Sequence, residues 1–218
     1  MSRMSNGFGF GGKKSKKTSS KNKPKFSCKN QLMANHSLYH LSSDESYEYW
    51  NRKGVSCNNV GHYEKAIEAY DYAISMKPNS CRAYFNKSTA LYKLRRYEES
   101  LKACNKVLEL DSNNYKAWDN KGIALAKLGR YEESLKAYEQ AIKIQPDYHN
   151  AWYNKGVHFC GFEEYKDAIA AFDKVINLKP SYLYQAWHGK GHCLEALKHY
   201  EEAINAYDKA IQIYPNHQ

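Results

Sequence analysis

The stretch YKAWDNKGIALAKLGRYEESLKAYEQAIKIQPDY, residues 115–148, reads as two short amphipathic helices joined by a turn. Trp118, Gly122 and Leu125 stand at i, i+4 and i+7, which is one face of a helix. Ser134, Tyr138 and Ala141 repeat that spacing after Gly129 and Arg130, so a second helix carries its own stripe. Pro146 cannot continue the second helix and marks its end. Glycine beside alanine or serine removes bulk where two backbones cross, while Trp118 and Tyr138 fill the space beside the crossing. A tight antiparallel helix pair is predicted.

The same pattern recurs on both sides of this stretch. Its leading aromatic is Trp50, Tyr84, Trp118, Trp152 and Trp187, at spacings of 34, 34, 34 and 35 residues. Position 8 of each unit is Gly54, Ser88, Gly122, Gly156 and Gly191, and position 17 is always tyrosine, Tyr63, Tyr97, Tyr131, Tyr165 and Tyr200. Five units follow, 47–80, 81–114, 115–148, 149–183 and 184–217. Cys104 replaces the aromatic at position 24 of the second unit, Ser112 replaces its proline, and one residue is inserted near Leu183. A fixed period of this length predicts an all-α solenoid in which each unit buries its apolar face only against its neighbours.

Outside the repeats the composition changes. Residues 1–43 hold Arg3 and eight lysines with no acid, so nearly all of the net charge of +10 belongs to them. Residues 1–25, rich in Gly, Ser, Asn and Lys, predict a disordered basic tail, because they cannot bury enough apolar surface to offset ordering. Residues 26–46 read as a linker or partial capping helix, with Phe26, Leu32, Met33, Leu38, Tyr39 and Leu41 as its apolar positions. The mixture of GFGFGG and KKSKK in the tail supports an alternative role, a factor recruited to nucleic acid or an anionic surface by electrostatics.

W-x3-G-x2-[LFC] followed by Y-x2-[AS]-x3-[YF]-x2-[AV]-x4-P resembles the tetratricopeptide repeat over residues 47–217. The resemblance implies a right-handed superhelix of five helix-turn-helix units. It also implies that positions 2, 5, 6, 9, 12 and 13 of the first helices line a concave groove binding a protein or peptide. Carried over position by position, that groove contains Arg52, Arg82, Phe85, Asn86, Tyr92, Lys93, Lys116, Asn120, Lys127, Tyr153, Asn154 and His188. Asn86, Asn120 and Asn154 form a row whose amides match the paired N–H and C=O groups of an extended backbone, although Asn is also an ordinary residue in such repeats. The cations Arg82, Lys93, Lys116 and Lys127 against Asp119 favour an acidic or C-terminal segment with apolar side chains, while Lys93 and Lys127 also suit a helix C-terminus. The residue set by which some family members clamp a chaperone's C-terminal carboxylate is incomplete, since positions 5 and 9 lack the Lys and Asn pair.

Chemistry beyond binding finds little support. His188 and His192 stand at i, i+4 beside Cys193, with Cys160 in the preceding unit, but no third ligand has a fixed spacing and no metal is expected. The paired acids near position 17, Glu98/Glu99, Glu132/Glu133, Glu163/Glu164 and Glu201/Glu202, read as helix-start charges rather than general acids. No phosphate loop, nucleophile elbow or metalloprotease helix occurs, so neither catalysis nor a cofactor is expected. Six cysteines without a CxxC pair, and no apolar run long enough to span a bilayer, predict free thiols and a cytoplasmic setting. Ile211, Ile213 and Tyr214 stand near an uncovered last helix, so end-to-end self-association or the docking of a partner is expected there.

Overall fold

The computed structural model describes residues 42–178 and 183–214; the tail, most of the 26–46 segment and prolines 180 and 215 lie outside the described residues. The described residues form ten helices and no strand. They are α1 (Ser43–Asn59), α2 (Tyr63–Met76), α3 (Cys81–Lys93), α4 (Tyr97–Leu110) and α5 (Tyr115–Lys127), then α6 (Tyr131–Ile144), α7 (His149–Gly161), α8 (Tyr165–Leu178), α9 (Leu183–Ala196) and α10 (Tyr200–Ile213). Helix α1 begins four residues before the predicted first unit, because Ser42 and Glu45 close a reciprocal capping box there. Ser80 and Asn114 cap α3 and α5 by accepting from the backbone N–H of Ala83 and Ala117.

Each helix packs on the next, and the odd-numbered helices also touch one another in succession, whereas the even-numbered ones do not. Odd helices therefore line the inner side of the stack and even helices the outer side. The crossing within each unit is set by position 8. A Cβ on Gly54, Gly122, Gly156 or Gly191 would lie 2.4–2.7 Å from the ring of Tyr70, Tyr138, Phe172 or Tyr207 respectively. In the second unit position 8 is Ser88, which carries that Cβ, and its partner is the small Cys104 instead of a ring. Both are fully buried. The cysteine that looked like an isolated departure is thus the complement of the serine. Ser100 and Ser134 tighten two crossings further, donating to the carbonyls of Ser88 at 2.8 Å and Gly122 at 2.7 Å.

Position 15 reverses the chain between the two helices of every unit and holds a left-handed backbone, at Gly61 (φ 80°), Arg95 (59°), Gly129 (76°), Glu163 (62°) and Lys198 (64°). Glu163 and Glu164 consequently precede α8 and do not charge its first turn, where Asp167 stands. Glu98/Glu99, Glu132/Glu133 and Glu201/Glu202 do stand in the first turns of α4, α6 and α10, and Glu99 and Glu133 also pair with Arg96 and Arg130.

Units are joined by two repeated devices. The indole N–H of Trp118 donates to Ser112 O at 2.9 Å, and that of Trp152 to Pro146 O at 2.8 Å, so the landmark tryptophan grips the loop before it. The lysine at position 7 reaches back to an acid at position 25 of the preceding unit, as Lys87–Asp71, Lys155–Glu139 (2.8 Å) and Lys190–Asp173 (2.6 Å).

Candidate functional site

The inner faces of α5 and α7 enclose two adjoining bays. One, of about 540 Å³, is walled by Tyr92, Ile123, Tyr131, Tyr138, Val157 and Phe162, with Lys127 and His158 among its polar lining. The other, of about 460 Å³, is lined by Asp119, Asn120, Asn150, Asn154 and Gln185, together with Ile123, Tyr148 and Tyr153. Ile123 and Asn154 belong to both and form the sill between them. An aromatic bay next to an amide-rich bay offers an apolar slot beside hydrogen-bonding groups, the combination that seats a side chain and reads the backbone bearing it.

Local sequence explains each half. Aromatics at Tyr92, Tyr131 and Phe162 come from the ends of α3 and α7 and the start of α6, where the turn brings them over the Gly122 crossing. The Tyr131 and Phe162 rings meet edge to face with centroids 5.0 Å apart. The His158 imidazole lies 5.0 Å from the Phe162 ring, and burial pulls its pKa below the ordinary range. It is therefore a neutral donor or acceptor at physiological pH rather than a cation.

The amide bay is organised around a buried acid. Asp119, 3% exposed, accepts from the Asn154 Nδ2 at 2.8 Å and from the Tyr148 hydroxyl at 3.3 Å, and Asn150 donates to that hydroxyl at 3.0 Å. Burial pushes the Asp119 carboxyl up to about 6, the two hydrogen bonds opposing it only in part. Gln185 closes the bay from α9, and its buried Oε1 has no hydrogen-bond partner among the described residues. Such an oxygen calls for a donor.

The asparagine row is less uniform than its spacing suggests. Asn154 is held by Asp119, and the amides of Asn86 and Asn51 lie 3.3 Å apart. In both pairs position 6 of one unit meets position 5 of the unit before it, 35 residues earlier. Asn120 breaks the rule because Phe85 holds that register and offers no polar atom. Its side chain makes no hydrogen bond to a described residue and lines the amide bay, so Asn120 is the member of the row open to a ligand. The row ends at Gly189 because a Cβ there would stand 2.7 Å from the Phe172 ring.

The remaining groove residues divide. Tyr92 and Lys127 line the aromatic bay, and Tyr153 lines the amide bay with its ring 5.9 Å from that of Phe172. Arg82 is engaged by its own protein: Nη2 lies 3.0 Å from the Glu48 carboxylate, and with the Asn51 amide oxygen turned towards it, Nε and Nη2 each reach that oxygen at 2.9 Å. Arg52 is exposed on α1 and reaches the Glu48 carbonyl at 3.4 Å. Lys93 and Lys116 are exposed, the latter over the Tyr115 ring at 5.7 Å. Phe85 is half-buried. His188 is exposed and packs 5.5 Å from the Tyr207 ring, away from His192. The structure thus brings together Tyr92, Asn120, Lys127, Tyr153 and Asn154, and sets Arg52, Arg82, Phe85, Asn86, Lys93, Lys116 and His188 outside the bays. Asn150, Gln185, Val157, His158 and Phe162 escaped sequence-level selection, although positions 2 and 9 of the later units would have pointed to Asn150, Gln185 and Val157.

A separate cluster lies between α7 and α9. Cys160 Sγ stands 3.4 Å from His192 Nδ1, and the donor atoms of Cys160, His192 and Cys193 all fall within 4.8 Å of one another. The third donor that the histidine spacing lacks comes from the preceding unit, and His188 is not part of the group. Burial raises the Cys193 thiol up to about 12, so without a metal it is an inert thiol. Among the described residues no helix is long and apolar enough to cross a membrane.

Family models of the tetratricopeptide repeat match residues 59–115, 103–136, 122–159 and 184–217. An uncharacterized protein of Methanocaldococcus jannaschii is 47% identical over 49 residues, a match spanning 22% of this chain and only 57% of that protein. The solved structure of MamA, residues 41 to the end, from Desulfovibrio magneticus superposes with a TM-score of 0.69 at 21% identity, covering 79% of this chain and 97% of that one. YrrB, a repeat protein described as having an unusual peptide-binding site, superposes with a TM-score of 0.60 at 21% identity, covering 77% and 86%. At these identities the structural likeness concerns the fold, and it agrees with the repeat register, the glycine–ring crossings and the family matches: the chain belongs to the tetratricopeptide-repeat family.

Proposed function

We propose that this protein is a non-enzymatic adaptor whose inner face binds an extended peptide segment of a protein partner across the α5–α7 bays. The observation that carries the reading is the pairing of an aromatic bay with an amide bay over a shared sill, with the Asn120 amide unengaged by any described residue. A partner side chain of apolar or aromatic type fills the slot between Tyr92, Tyr131 and Phe162. The flanking backbone lies over Ile123 and meets the Asn120 amide, which supplies both a donor and an acceptor. Lys127 at the rim of the slot is an exposed cation, and with Arg82 spent on Glu48 and Asn51 it becomes the main source of preference for an acidic segment. The peptide-binding site attributed to YrrB supports this use of the fold.

The test is selection of peptides from a displayed random library on the purified chain, in parallel with an Asn120→Ala/Val157→Glu variant. Val157 is 49% exposed, so the change leaves the core untouched. Wild type should enrich segments with an apolar anchor, and the variant should not. Equal enrichment on both proteins rules out the bays.

A further inference from the structure

We propose that Cys160, His192 and Cys193 form a binding site for a thiophilic d10 metal ion, zinc being the best match, which staples α7 to α9. The inference is independent of the peptide reading. With Zn–S near 2.3 Å and Zn–N near 2.0–2.1 Å, a tetrahedral ion holds a sulfur and a nitrogen about 3.6 Å apart and two sulfurs about 3.8 Å apart. The Cys160–His192 separation of 3.4 Å already has that size, and the whole donor set within 4.8 Å needs only a small inward contraction.

Repeat packing accounts for Cys193 but not for His192 or Cys160. Position 10, where Cys193 stands, takes Ala90 and Ala124 in the second and third units, so a small buried residue there is ordinary. Position 9, held by His192, is otherwise Val55, Thr89, Ile123 and Val157, and position 12, held by Cys160, is otherwise Asn58, Tyr92, Ala126 and Glu195. Among the described residues, three such donors converge only at the fourth-to-fifth unit junction. Two thiolates and a neutral imidazole balance a divalent charge and select zinc over magnesium or calcium.

The surroundings suit a bound ion. Cys193 is buried within the cluster formed by Ala168, Phe172 and Val175, and Cys160 and Tyr165 pack against the same cluster, giving the site an apolar wall. His192 is exposed and opens a path for entry. Three protein donors leave one tetrahedral position for water or a fourth donor. Because α7 and α9 both belong to the inner face, an ion shared between them fixes the spacing of the fourth and fifth units and stiffens the end of the groove that Gln185 closes.

The test is titration of the reduced, chelator-stripped full chain with Co2+ and then Zn2+. One Co2+ per chain should bind with thiolate-to-cobalt charge-transfer absorption and a tetrahedral ligand-field spectrum, and Zn2+ should displace it. Cys160→Ser and His192→Ala, both at sites with solvent exposure, should each lose the charge-transfer band or weaken binding by more than about 100-fold, while Cys81→Ser should bind like wild type. Zn2+ should raise the melting temperature of wild type and Cys81→Ser and leave that of the two site variants unmoved. Absence of stoichiometric cobalt, an unchanged spectrum in Cys160→Ser, or formation of a Cys160–Cys193 disulfide as the sole chemistry of the cluster would each overturn the proposal.

Discussion

Replacing Asp119 by Asn should stabilise the protein at neutral pH and do so much less in mild acid. Asp119 is 3% exposed, faces Asn154 and Tyr148, and has no cation within ion-pair distance among the described residues. Burial raises its carboxyl from 3.8 to about 6. The native state therefore holds a proton that the unfolded chain has lost between pH about 4 and about 6, and stability falls as pH rises through that window. Above it the full cost is present. A shift of roughly 2 units at 1.36 kcal/mol each amounts to about 3 kcal/mol. Asparagine keeps an oxygen to accept from Asn154 and removes the charge; Asn51 already occupies this register in the first unit. The expected gain is about 1–3 kcal/mol near pH 7.5 and about a third of that near pH 4.5. Urea unfolding of both proteins at the two pH values reads the difference directly, because every other titrating group cancels. A variant less stable than wild type near pH 7.5, or a gap that does not change with pH, would refute the reasoning.

Other perturbations address the packing rule and the turns. Cys104→Tyr should cost about 1–3 kcal/mol through overpacking against the Ser88 Cβ, whereas Ser88→Gly/Cys104→Tyr should recover most of that loss, a coupling readable in a double-mutant cycle; additive effects would show that the two positions do not pack as a pair. Arg95→Gly, Glu163→Gly and Lys198→Gly, at φ of 59–64°, should each raise the urea midpoint by an amount equivalent to about 0.5–1 kcal/mol, and a loss at all three would deny strain in these turns. On α10 the exposed Ile204 (62%) and Ile211 (58%) should associate chains at high concentration, so Ile211→Glu should lower the mass seen by light scattering; a monomeric wild type removes that expectation.

The fold was legible because its determinants recur at a fixed period within one unit. Gly122 against Tyr138 requires only that two helices fold back on each other, and both residues sit in one 34-residue stretch. Even so, Cys104 looked like an isolated departure until its packing with Ser88 showed one swap compensating the other. The binding face was harder to read because it depends on the stagger between units. Position 6 meets position 5 of the preceding unit, a 35-residue offset that the period alone hides, so Asn86 and Asn154 looked as open as Asn120. Arg82 counted as a free cation because Glu48, its partner, belongs to the preceding unit, 34 residues earlier. His188 and His192 share a helix face by spacing, yet the first packs against Tyr207 of α10 and the second against Cys160 of α7.

The central claim, that the α5–α7 bays hold a peptide, is tested most directly by fluorescence anisotropy of one labelled peptide selected on wild type, titrated with wild type, Asn120→Ala and Val157→Glu. Loss of the Asn120 hydrogen bonds, about 1–3 kcal/mol, should weaken binding roughly 5- to 150-fold, and a charge in the aromatic bay should weaken it at least as much. Equal affinity for all three folded proteins would contradict the account.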